Sequence, residues 1–158
     1  KFGVDPFKGG NIKTTSDDFF LNNKILFDII FIDGLHTYSQ CQIDILNSLK
    51  FLQPNGIIFV HDLIPIDWKT EHCPRIFDHW NGDTWKVCFE LIESKNINFN
   101  IIDCDNGIGM IQKSPDFEYK KLNKDLKNKK FDFFVENFEK LPIINYVDSL
   151  KIIDKKIN

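Results

Sequence analysis

The stretch FDIIFIDGLHTYSQCQIDILNSLKFLQPNGIIFVHD, residues 27–62, decides the fold. Its two ends, Phe27 to Asp33 and Ile57 to Asp62, are short runs apolar on both faces, and each finishes in a carboxylate. Strands buried on both sides of a parallel sheet read this way, whereas a strand with one wet face alternates. Between them, Ile43, Leu46 and Leu49 fall at helical spacing within Tyr38 to Leu52, and Gln53-Pro54-Asn55-Gly56 supplies the stop and the turn. Strand, helix and strand in that order make one βαβ unit, which predicts an α/β fold.

Downstream, Asp83 is positioned to cap a helix running to about Ser94, with Trp85, Cys88 and Ile92 on one stripe. Ile97 to Asp103 and Ile108 to Gln112 then read as two strands joined by Cys104-Asp105-Asn106-Gly107, whose residues tolerate positive φ, so the sheet is expected to end in an antiparallel hairpin. Upstream, Phe2 to Asp5 reads as a strand end followed by a turn at Pro6. Asn11 to Thr15 reads as a short strand, with Ser16 or Asp17 capping a helical turn. From Ser114 onward, Lys-rich stretches alternate with Phe131, Phe133, Phe134, Val135, Phe138 and Leu141, predicting one or two amphipathic helices broken at Pro142. The expected organisation is a domain over residues 1–113 and a helical extension over 114–158 packed on it.

A net charge of −3 over 158 residues, with a pI near 5.8, gives no global basic field to attract nucleic acid. The cluster Lys120, Lys121, Lys124, Lys127, Lys129 and Lys130 is expected to be a solvated helix face. No apolar span suggests a membrane segment, and a small-molecule partner fits this surface better. The four cysteines stand apart without a CxxC pair, which points to a reducing, cytoplasmic setting. His72, Cys73 and His79 lack the paired spacing of a structural zinc site.

In open α/β sheets, ligands bind beyond the carboxyl ends of the strands, where Asp5, Asp33 and Asp62 are expected to lie. His36 follows Asp33 closely, and His61 precedes Asp62, so two carboxylates and two imidazoles can converge on one rim. Such a set can hold a hard divalent ion through its carboxylates, or a borderline metal if imidazole joins. It can equally supply a general base near neutral pH. Asp5, after an early strand, is placed to accept ribose hydroxyls of a nucleoside cofactor, or else to serve as a turn residue before Pro6.

The residues FDIIFIDGLHTYSQ, LQPNGIIFVHD and WNGDTWK together resemble the class I S-adenosylmethionine-dependent methyltransferases grouped as methyltransferase domain 24. GVDP and TSDDFF upstream share the likeness more weakly. The resemblance implies a seven-stranded Rossmann-like sheet with an antiparallel last strand, and S-adenosylmethionine as cofactor. It implies that Asp5 accepts the ribose, that Ser16 and Asp17 lie beside the adenine, and that Asp33 and His36 face the methyl group and substrate. Metal-assisted O-methyltransferases, which look similar here, place an acid like Asp33 and a second like Asp62 on a cation such as Mg²⁺. Asp33, His36 and His61 are then the candidate catalytic residues, Asp5, Ser16, Asp17 and Asp33 the candidate cofactor contacts, and Asp33 and Asp62 the candidate metal ligands.

The chain contains no Gly-x-Gly-x-Gly run, the loop that follows the first strand in this family and lets backbone approach the cofactor. The expectation is a truncated domain: a methyltransferase sheet lacking its first strand, with a C-terminal hairpin and helical tail. Transfer of a methyl group to a small hydroxyl or amine is the leading function. A non-catalytic α/β module kept for assembly is the alternative. Because the absent strand would lie beside Phe27 to Asp33, that strand is expected to be paired on its free side by Phe2 to Asp5, or by another copy of the chain in a homodimer.

Overall fold

The computed structural model describes residues 1–122 and 125–157. Helix α1 (Ser16–Asn22) precedes strand β1 (Phe27–Ile32), helix α2 (Tyr38–Phe51) and strand β2 (Leu52–Val60). Two further helices, α3 (Trp68–Glu71) and α4 (Lys86–Glu93), lead into the hairpin β3 (Lys95–Ile102) and β4 (Ile108–Glu118). The tail forms α5 (Asp125–Asn128), α6 (Phe131–Glu136), a 3₁₀ turn (Phe138–Lys140), a short strand β5 (Ile143–Ile144) and α7 (Tyr146–Ile157).

The five strands form a mixed sheet in the order β1-β2-β4-β3-β5. β1 and β2 are parallel, with Ile32 opposite Val60. β4 inserts antiparallel between β2 and β3, and β5 adds parallel to β3. The α/β class and Rossmann-like sheet expected from the sequence are therefore present, as is the antiparallel hairpin. Its turn carries three successive positive φ angles, 43° at Asp105, 57° at Asn106 and 82° at Gly107, which Asp, Asn and Gly adopt most readily.

One face of the sheet is covered by α2, α4 and the tail. Ile45 and Leu49 of α2, Trp85, Cys88 and Leu91 around α4, and Phe134 of α6 bury against Ile58, Val60, Ile101 and Ile111. The opposite face buries Ile57, Ile102 and Met110, with Ile152 and Ile153 of α7 packed over them. A buried carboxylate ties the first layer together: Glu90 accepts from Tyr38 Oη (2.7 Å), Gln42 Nε2 (2.7 and 2.8 Å to its two oxygens), Tyr119 Oη (2.8 Å) and the Leu122 amide (2.9 Å). The tail's Lys120, Lys121, Lys127, Lys129 and Lys130 are exposed, and Lys124 lies outside the described residues. Among the described residues no helix is long and apolar enough to cross a membrane, and all four cysteines are free.

Several local expectations are corrected. β1 is an edge strand, so its apolar residues are not all buried: Ile29 is 66% exposed and Phe31 56%. Phe2 to Asp5 does not pair with it. That segment bridges the next one instead, through Val4 opposite Ile12, and only the Phe2 ring reaches β1, edge-on to Phe27 at 5.8 Å. Asn11 to Thr15 accordingly makes this single bridge rather than a strand. Gln53 to Gly56 belongs to β2 as a bulge, where the register jumps from Leu52 opposite Phe27 to Ile57 opposite Ile29. In α2 the buried stripe is Cys41, Ile45, Ser48 and Leu49, which leaves Ile43 exposed. The α1 cap is Thr15, whose Oγ1 accepts from the Asp18 amide at 3.1 Å, not Ser16 or Asp17. Asp83 does not cap α4, which starts at Lys86; the Ile92 side of that helix is exposed. β4 continues across residue 113 to Glu118, and β5 joins the sheet, so part of the segment expected to be purely helical is strand.

Candidate active site

Because β1 and β2 run parallel, their carboxyl ends deliver Asp33 and the pair His61-Asp62 side by side, with the His61 amide donating to the Ile32 carbonyl at 3.0 Å. The β3–β4 turn arrives at the same end, since Gly109 of antiparallel β4 faces Val60. Three loops therefore converge on one rim.

Asp33 Oδ1 lies 3.2 Å from His36 Nε2 and 3.3 Å from His61 Nδ1. Asp62 Oδ2 lies 3.2 Å from His36 Nδ1 and 3.4 Å from His61 Nδ1. The expected convergence of Asp33, His36, His61 and Asp62 is what the chain forms. Asp105 completes the set with Oδ2 3.1 Å from His61 Nε2, off the line of a hydrogen bond. Burial works against a charged His61, but the carboxylates of Asp62, Asp105 and Asp33 outweigh it and hold the imidazole's pKa above the ordinary histidine value. Among the described residues, no lysine or arginine forms an ion pair with Asp33, Asp62 or Asp105. The His61 imidazole, held toward its charged form, is what faces these carboxylates.

A second layer comes from Trp80-Asn81-Gly82-Asp83, which sequence reasoning took only as the approach to a helix. The Trp80 carbonyl lies 2.8 Å from His36 Nδ1, so Nδ1 carries a hydrogen, and the Trp80 ring stacks on the imidazole at 5.4 Å. Asn81 is fully buried and donates from Nδ2 to Asp62 Oδ1 at 2.8 Å. Gly82 sits at φ 66°, and a Cβ there would fall 1.7 Å from the His36 carbonyl oxygen, so only glycine permits this approach. Asp83 accepts from the Tyr38 amide at 2.6 Å and from Lys86 Nζ at 2.8 Å, joining the start of α2 to the start of α4. Thr84 Oγ1 donates to the Asp62 carbonyl at 2.6 Å and holds Asp62 at its positive φ of 61°. Such an outlier in a non-glycine residue marks a position held by its surroundings.

The other candidates lie in the segment that precedes β1. Asp5 Oδ1 accepts from the amides of Phe7 and Lys8, which hold its carboxyl below the ordinary range, so Asp5 does form the turn at Pro6. No hydrogen bond or ion pair among the described residues links it to the Asp33 rim. Ser16 and Asp17 connect indirectly: Gln40 Nε2 lies 3.5 Å from Ser16 Oγ, 3.3 Å from Asp17 Oδ1 and 3.2 Å from Asp44 Oδ1. Burial raises the Asp44 carboxyl, whose Oδ2 backs onto Gly34. His72 bonds the Pro74 carbonyl and Cys73 approaches Asp83, so neither joins the rim.

The set can bind a cation or exchange a proton. One donor atom each from Asp33, His61 and Asp62 falls within 4.8 Å of the others, so the residues fit a divalent ion. For a nucleoside cofactor, Asp5 and Asp17 present carboxylate acceptors and Ser16 a hydroxyl, which suits hydroxyl and amino groups.

Residues 7–63 match the model of a family described as a methyltransferase domain, a span that contains Ser16, Asp17, Asp33, His36, His61 and Asp62. No curated protein matches the chain. With the βαβ unit, the antiparallel hairpin and a polar rim at the carboxyl ends of the strands, residues 7–63 are thus similar to a methyltransferase domain set within a Rossmann-like α/β sheet.

Proposed function

We propose that this domain transfers a methyl group from S-adenosylmethionine to the hydroxyl or amine of a small-molecule acceptor, with a divalent cation held by Asp33 and Asp62. The observation that carries the reading is the convergence of Asp33, His36, His61 and Asp62 at the ends of two adjacent parallel strands. Bound there, the cation would polarise the acceptor oxygen and lower its pKa. His36 is the group for the acceptor's proton. Its Nδ1 hydrogen points to the Trp80 carbonyl, which leaves Nε2, beside Asp33, as the nitrogen that takes up and releases a proton. With that proton on Nε2, the acceptor's lone pair is free for in-line displacement at the sulfonium methyl.

Asp5 would accept the ribose hydroxyls, Ser16 and Asp17 would border the adenine, and Asp33 would serve both cofactor and acceptor sides of the rim. The net charge of −3 favours a small acceptor over a polyanion. Incubation with isotopically methyl-labelled S-adenosylmethionine and a panel of small alcohols, phenols and amines tests this. Label should enter an acceptor with equimolar S-adenosylhomocysteine. Asp33→Asn should lower turnover at least about 100-fold while leaving stability within about 1 kcal/mol, since an exposed rim carboxylate adds little to the core. Label entering protein or nucleic acid instead, or equal losses of turnover and stability, would refute the reading.

A further inference from the structure

We infer that the His61 imidazole is the third protein ligand of the rim's cation, backed by Asp105, and that it makes the site select a borderline transition-metal ion over Mg²⁺. This rests on the metal-assisted reading above and adds the identity of the ion. Neighbouring contacts single out one atom of each residue. Asp62 has Oδ1 bonded to Asn81 Nδ2, so Oδ2 is the oxygen turned to the rim, 3.4 Å from His61 Nδ1. Asp33 offers Oδ1, 3.3 Å from the same nitrogen. His61 has Nε2 facing Asp105 Oδ2 at 3.1 Å, which leaves Nδ1 between the two carboxylate oxygens. The three atoms Asp33 Oδ1, Asp62 Oδ2 and His61 Nδ1 thus lie together at the rim.

The two imidazoles are not equivalent. Both meet carboxylates, but His36 Nδ1 is also committed to the Trp80 carbonyl at 2.8 Å, whereas among the described residues no carbonyl bonds His61 Nδ1, which Asp33 and Asp62 flank. A metal-bound histidine usually directs its other N–H to a carboxylate or carbonyl, which fixes the ring and strengthens the ligand; Asp105 Oδ2, 3.1 Å from Nε2 though off the line of a hydrogen bond, is the carboxylate within reach. The fully buried Asn81, which donates to Asp62 Oδ1, keeps its own Oδ1 without a partner among the described residues. Two carboxylates and one imidazole suit Mn²⁺, Fe²⁺, Co²⁺ or Zn²⁺. Mg²⁺ favours an all-oxygen octahedron, and imidazole adds affinity progressively along the transition series.

Calorimetry on the chelator-treated chain with Mg²⁺, Mn²⁺, Co²⁺ and Zn²⁺, together with the visible absorption of the Co²⁺ form, reads this without reference to activity. One equivalent of Co²⁺ or Zn²⁺ should bind at least about tenfold more tightly than Mg²⁺, and Asp105→Asn should weaken Co²⁺ binding by about 10–100-fold. His61→Asp should reverse the preference toward Mg²⁺, with circular dichroism confirming that the variant folds. Equal affinities for Mg²⁺ and Co²⁺, an unchanged preference in His61→Asp, or no binding by the folded chain would each overturn the inference. Methyl transfer that persists unchanged with excess chelator would instead refute metal assistance, and the calorimetric preference is read independently of it.

Discussion

His61 is flanked by Asp33 and Asp62 at one ring nitrogen and by Asp105 at the other. Its pKa is raised in the folded chain, since these charges overcome the burial that disfavours the imidazolium. The sign follows from linkage: a folded pKa above the unfolded value of about 6.5 means the stabilisation is full below that value and disappears as pH rises through the folded pKa. In the chelator-treated protein, the His61 ring should therefore titrate above a free histidine by NMR. The stability deficit of His61→Asn relative to the parent should be greatest in mild acid and vanish at alkaline pH. A deficit independent of pH would mean that His61 acts through packing alone. At this scale, the sequence displayed Asp33, His36, His61 and Asp62 because each sits next to a strand end that periodicity locates. It concealed Asp105 and Trp80-Asn81-Gly82-Asp83, since a turn residue and a helix approach become site residues only through strand order and loop path.

At the scale of elements, the strands that enclose α2, and the hairpin, were legible because continuous apolar runs and a turn rich in Asp, Asn and Gly each have a local cause. The phase of α2 was not: Ile43, Leu46 and Leu49 fit helical spacing, but the core took the neighbouring stripe of Cys41, Ile45, Ser48 and Leu49. Tyr38 and Gln42 of that helix reach Glu90 of α4, and so do Tyr119 and Leu122 beyond β4. A carboxylate buried this deeply is tolerated because every contact to it is a donor. Glu90→Ala would leave two hydroxyls, an amide side chain and a backbone N–H without their acceptor. Chemical denaturation should show a loss of at least about 3 kcal/mol, given a cost of about 1–3 kcal/mol per orphaned group. A change within about 0.5 kcal/mol would mean that water replaces the carboxylate at no cost and that the network does not hold the layers.

For the whole molecule, the consequence that matters most is where the sheet stops. β1 hydrogen-bonds to β2 on one side, and among the described residues no strand pairs its other side. The cluster of Phe2, Phe19 and Phe27 covers only the beginning of the strand, with ring centroids 5.8–6.2 Å apart. Beyond it, Ile29 and Phe31 are exposed, and Asp28 is the one charge within β1. Natural edges are usually short, charged, bulged or covered, because a row of unpaired amides and carbonyls templates association. The bulge near Phe27 lies on the β2 side of the pair, and β1 itself runs regular and apolar from Ile29 to Ile32. We therefore propose that two copies of the chain pair through β1, antiparallel about a two-fold axis, which joins their sheets and buries Ile29 and Phe31. Analytical ultracentrifugation should show a concentration-dependent dimer. Ile29→Lys combined with Phe31→Lys should shift it to monomer without unfolding the chain, because both side chains are already largely exposed. Hydrogen exchange at the β1 amides should be slow in the dimer and faster in the double variant. A parent chain that stays monomeric at high concentration, with fast exchange along one side of β1, would show that the edge persists bare and that the association does not occur.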